Sequence, residues 1–130
     1  MAIPEYPDEI NKISDFIYQI KKTSISENRI FYFIIDIDES KFWAESEGKI
    51  ENEEEIQKYQ IPFFLTLCKN TDEEKSSGII KFKIFPDGFI QPGFIYLNDP
   101  ETNKTYTIFL NPYLNIPEIY KGEVNFEEYE

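Results

Sequence analysis

Ile10, Ile13, Ile17 and Ile20 recur at three- and four-residue intervals near the start of the chain. That spacing lines one face of a helix. Asp8 stands where it can cap the N-terminus, and Asp8 and Glu9 lie at the positive end of the helix dipole. Lys21 and Lys22 lie toward the negative end, and Asn28 is a residue type that accepts the left-handed conformation ending many helices. The pattern predicts a helix over about residues 8–27. Burying the four isoleucines contributes about 6–12 kcal/mol before ordering costs. An isolated helix of this length is marginal in water, so the stripe predicts docking on a sheet of the same domain. The preceding stretch MAIPEYP, with its two prolines, reads as an irregular lead-in.

The rest of the pattern is strand-like. Arg29–Ile37 is almost continuously apolar and predicts a central strand covered on both faces. Asp38-Glu39-Ser40 supplies a turn into a second strand, Lys41–Ser46. Ile61–Lys69, opened by Pro62, predicts another strand, and Asn70–Ser77 a polar loop. Within Gly78–Asn115, Ile80, Phe82 and Ile84 alternate with Lys81 and Lys83, a period of two. Pro86-Asp87-Gly88 forms a turn, Phe89–Leu97 continues with a bulge or edge at Pro92-Gly93, and Asn98-Asp99-Pro100 turns into Tyr106–Leu110. These segments predict a three-stranded antiparallel meander. Lys121–Phe126 reads as a short closing strand, followed by the acidic end Glu127–Glu130. The expected architecture is a single α+β domain over 1–130, with one amphipathic helix packed on antiparallel sheets in a β-sandwich-like arrangement.

Composition narrows the chemistry. The 25 acidic and 13 basic residues give a net charge of −12. That balance disfavours nucleic acid, whose binding needs lysines and arginines to displace counterions. It equally disfavours anionic membrane surfaces and permits a basic protein surface or a cation. The chain has no histidine and one cysteine, so a histidine-based triad, a histidine metal site and an internal disulfide are excluded. Cys68, within FFLTLC, reads as a buried, inert thiol. No apolar run approaches the roughly 20 residues that span a bilayer. Five glycines and no GxGxxG or GKS/T leave no phosphate-cradling loop.

Carboxylates are the remaining candidates for chemistry. Glu45–Glu55 is crowned by Glu53-Glu54-Glu55, yet a sequential run does not hold two carboxyls across a cleft as glycoside hydrolysis requires. It reads as a solvated loop. Asp36, Asp38 and Glu39, and Asp72, Glu73 and Glu74, lack the alternating ligands, glycine and closing glutamate of a calcium loop. No catalytic, cofactor or metal residue is assigned.

The order of elements carries a resemblance. A helix ending in Lys21, Ser24-Ile25 and Asn28 leads into the apolar Ile30–Ile35; then come Trp43, Ile61-Pro62, Phe85-Pro86-Asp87-Gly88, Asn111-Pro112 and Gly122-Glu123-Val124. From Asp8 to Phe126 this resembles the globular part of type IV pilin-like proteins, nearest the H-type minor pseudopilins of type II secretion and their minor-pilin relatives (the GspH/FimT family). Ser24 stands where that family usually has alanine. The resemblance implies a non-enzymatic subunit of a secretion or pilus-like filament, without cofactor, whose partners are other pseudopilins or minor pilins. It further implies an apolar segment upstream that anchors the full-length protein in the inner membrane and continues this helix, with the domain in the periplasm. On that reading Glu45–Glu55 and the Asn98–Lys104 turn are expected contact surfaces. Two alternatives come from other classes. One is a minor pilin capturing DNA or a surface ligand at a pilus tip, where DNA capture predicts a basic patch that the net charge of −12 argues against; the other, a carboxylate-pair hydrolase, predicts facing carboxyls in a cleft.

Overall fold

The computed structural model describes residues 7–48 and 56–124. Helix α1 runs Asp8–Glu27, as its isoleucine spacing predicts. Its C-terminus closes on Asn28, held at φ 51°, with the Asn28 N–H donating to Ile25 O and the Arg29 N–H to Ser24 O. This pair of bonds satisfies carbonyls the last turn would otherwise strand. Its N-terminus differs from expectation. Pro7, not Asp8, is the capping residue, with φ −54° and ψ 142° and no side-chain cap. The Pro7 carbonyl accepts from the Ile10 and Asn11 N–H groups. Asp8 lies inside the first turn, because proline has no N–H to lose and fits the position just outside it. A ψ of 142° is extended backbone, so no helix runs continuously through Pro7.

Among the described residues, nine strands form two antiparallel sheets. Strands β1 (Phe31–Asp36) and β2 (Lys41–Ser46) make the predicted hairpin, with Ile34 opposite Trp43. Strands β3 (Tyr59–Gln60), β4 (Phe64–Asn70), β5 (Glu74–Lys75) and β6 (Ile79–Ile84) follow. Then come β7 (Gly93–Asn98), β8 (Thr105–Leu110) and β9 (Glu118–Lys121). The first sheet has the order β3-β2-β1-β6 and the second β5-β4-β7-β8-β9.

The three-stranded meander does not form. Strand β6 pairs with β1 in the first sheet, while β7 and β8 pair in the second. The turn at residues 85–89 does return the chain, and Ile90 bridges Ile84. Gln91 still bonds Lys83 on both sides, its N–H donating to Lys83 O and its side-chain carbonyl accepting from the Lys83 N–H. Pro92 then cannot donate and the ladder stops. Gly93 carries the chain into the other sheet through a gap that admits no β-carbon: one would lie 2.4 Å from Lys69 O and 2.4 Å from Cε1 of Phe82.

Other boundaries also differ: the Phe89–Leu97 strand begins only at Gly93, after Pro92, and the predicted loop Asn70–Ser77 contains β5, paired with β4. The third apolar run begins at Phe64 rather than Ile61, because Ile61 N–H donates to Ser40 O beyond β3 and Pro62 interrupts. The closing strand is Glu118–Lys121, not Lys121–Phe126, since Gly122 at φ 83° turns the chain away. Asn125, Phe126 and the acidic end lie outside the described residues.

One core lies between the sheets and α1. Ile10, Ile13, Ile17 and Ile20 are at most 5 % exposed and join Phe33 and Ile35 of β1, Ile80, Phe82 and Ile84 of β6, and Ile95, Leu97, Ile108 and Leu110 of the second sheet. The predicted alternation in β6 holds, with Lys81 on the exposed face. Strand β1 is buried at Phe33, Ile34 and Ile35 in succession, as a strand covered on both sides must be. A second, smaller cluster of Phe94, Tyr96 and Phe109 stacks on the outer face of the second sheet.

Candidate functional site

The helix stripe is spent on the domain's own core, but its flank is not. Phe16 sits one ridge away from the stripe and stays half-buried. Its ring meets Phe42 of β2 edge-on at 5.0 Å and Tyr59 of β3 edge-on at 5.2 Å, while Phe42 and Tyr59 stack at 5.4 Å. Strand β3 is only two residues long, and Gln60 fixes it by donating from Nε2 to the carbonyls of Glu39 and Ser40, each at 3.0 Å. The short strand leaves an open groove of about 590 Å³ between helix and sheet edge. Ile13, Phe16, Phe42, Tyr59, Ile61 and Pro62 wall it, and Glu9, Lys12 and Asp15 rim it. Aromatic side chains carry large contact area with few torsions to freeze, which suits them to recognition.

The residues singled out in the sequence fall elsewhere. Ile10, Ile17 and Ile20 are core, and of the stripe only Ile13 also reaches the groove. Phe85-Pro86-Asp87-Gly88 does form a turn. Gly88 N–H donates to Phe85 O at 2.9 Å, Phe89 N–H to Asp87 Oδ1 at 2.9 Å, and Gly88 holds φ 91°. It packs on the end of α1, where a β-carbon on Gly88 would be 3.4 Å from Ile25 Cδ1.

Of Glu45–Glu55, only residues 45–48 are described. Glu45 accepts from Trp43 Nε1 at 3.3 Å and Glu47 from Tyr32 Oη at 3.2 Å. Burial, then that contact with Glu47, pushes the Tyr32 hydroxyl above 10.0. The Asn98–Lys104 turn is tied internally, with Asp99 N–H donating to Lys104 O and Glu101 N–H to Asp99 Oδ1.

The two acidic trios do structural duty. Asp36 Oδ1 accepts from Glu39 N–H, Asp38 Oδ2 from Gly78 N–H, and Asp72 Oδ2 from Gln91 Nε2. Glu73 pairs with Lys75 at 3.6 Å. Among the described residues no group of three metal-ligating side chains converges. Cys68 is fully buried, and burial pushes its thiol up to about 12, as an inert core cysteine requires.

The groove escaped the sequence reading because Phe16, Phe42 and Tyr59 come from three separate segments. The one available signal is Phe16, an aromatic beside the isoleucine stripe and three residues from Ile13. Among the described residues no helix is long and apolar enough to cross a membrane. No protein-family model, curated protein or solved structure matches the chain.

Proposed function

We propose that this chain is a non-enzymatic assembly subunit, pilin-like in plan, that engages a neighbouring protein through the groove between α1 and β3. The observation that carries this is the Phe16–Phe42–Tyr59 staircase, in which buried Phe42 backs the half-buried Phe16 and the exposed Tyr59 at a sheet edge only two residues long. Apolar surface of that kind on a soluble domain marks an interaction site. The occupant it fits is an apolar side-chain row on a positively charged segment. Glu9 and Asp15 outweigh Lys12 on the rim, and the net charge of −12 repels a second copy of this chain. A heterotypic neighbour is therefore favoured over self-association, in keeping with a minor pseudopilin among other subunits of a secretion or pilus-like filament. Within that reading, a membrane-anchoring segment upstream would join α1 through the extended Pro7 rather than as one unbroken helix.

A synthetic amphipathic peptide tests this, with leucines at helical spacing flanked by lysines, titrated by fluorescence anisotropy. Wild-type protein binds it, binding weakens with salt, and Tyr59→Ser loses it. Equal binding by wild type and Tyr59→Ser, or none by either, contradicts the groove as the docking site. A second reading has one observation in its favour: about 590 Å³ also lies within the range of small-molecule pockets. An apolar ligand bound there without any dependence on salt would support it.

A further inference from the structure

Lys21 is the one buried cation among the described residues, at 6 % exposure. It lies four residues beyond Ile17, on the ridge that also buries Ser14 and Ser24. Its Nζ donates to the carbonyl oxygen of Leu114 at 3.0 Å. That neutral acceptor takes one of three ammonium N–H bonds, and no carboxylate among the described residues lies in ion-pair range. Burial accordingly lowers the pKa of the amine from 10.5. A buried charge with a single neutral partner is poorly compensated, and an arriving anion supplies what is missing.

The space beside it is shaped for such an anion. A pocket of about 350 Å³ opens at the C-terminal end of α1, lined by Lys21, Ile25, Gly88, Phe89, Tyr113 and Leu114. Its apolar walls are exposed to water: Tyr113 83 %, Ile25 52 %, Leu114 43 % and Phe89 40 %. Gly88 lines one side without a side chain, and its φ of 91° would strain any other residue there. Asp87 also lines the pocket, but its Oδ1 is held by the Phe89 N–H within the turn. The lining holds one cation, Lys21, and one carboxylate, Asp87, within a chain of net charge −12, a balance that suits a monoanion over a phosphate dianion.

We propose that this pocket binds an apolar carboxylate, its head on the Lys21 ammonium and its tail along Ile25, Phe89, Tyr113 and Leu114. Two sources share that chemistry: a free aliphatic carboxylic acid, and the C-terminal carboxylate of a peptide with an apolar last residue. The site is separate from the α1–β3 groove and stands without it.

Methyl NMR titration of the whole chain distinguishes the outcomes. The probes are octanoate, octanamide, and a short peptide ending in leucine as free acid or as amide. Octanoate or the acid peptide is expected to shift the methyls of Ile25 and Leu114, leaving Ile61 in the groove unmoved. Each amide is expected to bind at least about tenfold more weakly, because its neutral carbonyl still accepts from the ammonium but the ion pair is lost. Lys21→Met is expected to fold and lose the preference for acid over amide. Tyr113→Ala, at a side chain too exposed to affect folding, should weaken both acids. Tighter binding of octanoate assigns the free acid, and tighter binding of the acid peptide assigns a protein terminus. Equal affinity for acid and amide overturns the proposal, as does unchanged acid preference in Lys21→Met or shifts confined to the groove.

Discussion

Gly93 and Phe82 approach so closely that a β-carbon on residue 93 would lie 2.4 Å from the Phe82 ring. The same atom would lie 2.4 Å from the Lys69 carbonyl oxygen, which is backbone and cannot swing aside. Gly93 is therefore the residue that lets β7 leave β6 and enter the second sheet. Gly93→Ala should destabilise the domain by about 3 kcal/mol, at the upper end of overpacking effects. That lowers the melting temperature by roughly 10 °C. A melting temperature equal to wild type by calorimetry would mean that the sheets are not this close.

The helix makes a graded prediction. Ile17 is fully buried between the sheets, whereas Ile25, two turns on, is 52 % exposed. Ile17→Ala should cost about 2–5 kcal/mol through lost burial and the cavity left behind. Ile25→Ala should stay within about 0.5 kcal/mol, as a surface change does. Urea unfolding followed by circular dichroism reads both. Similar costs for the two would place the stripe wrongly.

Cys68 fixes a behaviour in alkali. Its folded pKa of about 12 lies above the 9.0 of the free thiol, so the native state holds the proton where the unfolded chain releases it. Stability from this group is fully present below pH 9 and is lost as pH rises toward about 12. The loss amounts to about 4 kcal/mol, from roughly three pKa units. Tyr32 and Tyr96, both raised above 10.0, act in the same direction. Ellman's reagent at pH 8 should leave the folded thiol unmodified and react fully in denaturant. Cys68→Ser should cost about 1–3 kcal/mol, because it buries a hydroxyl without a made partner. Rapid labelling of the folded protein would contradict the burial.

Lys21 opposes that alkaline trend. With its pKa lowered in the fold, the native state binds fewer protons than the unfolded chain between the lowered value and 10.5. Stability from this residue therefore rises with pH across that window. Lys21→Met should be as stable as wild type at neutral pH, or more stable by about 1 kcal/mol, since an apolar isostere replaces a poorly compensated cation. Its stability should fall more steeply in alkali than that of the wild type. Chemical denaturation at several pH values checks both.

How far the sequence reaches can be judged from these residues. The stripe Ile10–Ile20 and the alternation Ile80–Lys81–Phe82–Lys83–Ile84 were legible, because each is local and periodic. The partition of strands between sheets was not. The 85–89 turn and the Ile84–Ile90 bridge are the start of a hairpin, and only the contact of Gly93 with Phe82 and Lys69 shows why it stops. Pro92-Gly93 marked the place without saying where the chain goes next. The groove and the Lys21 pocket were illegible for a related reason. Phe16 meets Tyr59 and Lys21 meets Leu114 across 43 and 93 positions of sequence. No local pattern encodes such distances. By position in the sequence Lys21 suits the negative end of the helix dipole, yet its place on the Ile17 ridge puts it inside.

On the proposed function, the α1–β3 groove receives another protein. Replacing Tyr59 with the photo-cross-linker p-benzoylphenylalanine, in cells that naturally produce the chain, tests it most directly, with the same replacement at exposed Glu74 as control. The expected result is a discrete adduct from position 59, absent from position 74, whose cross-linked peptide is apolar with lysine or arginine at its flanks. Absence of any protein adduct from position 59, or the same adducts from both positions, would mean that the groove is not a protein-docking site.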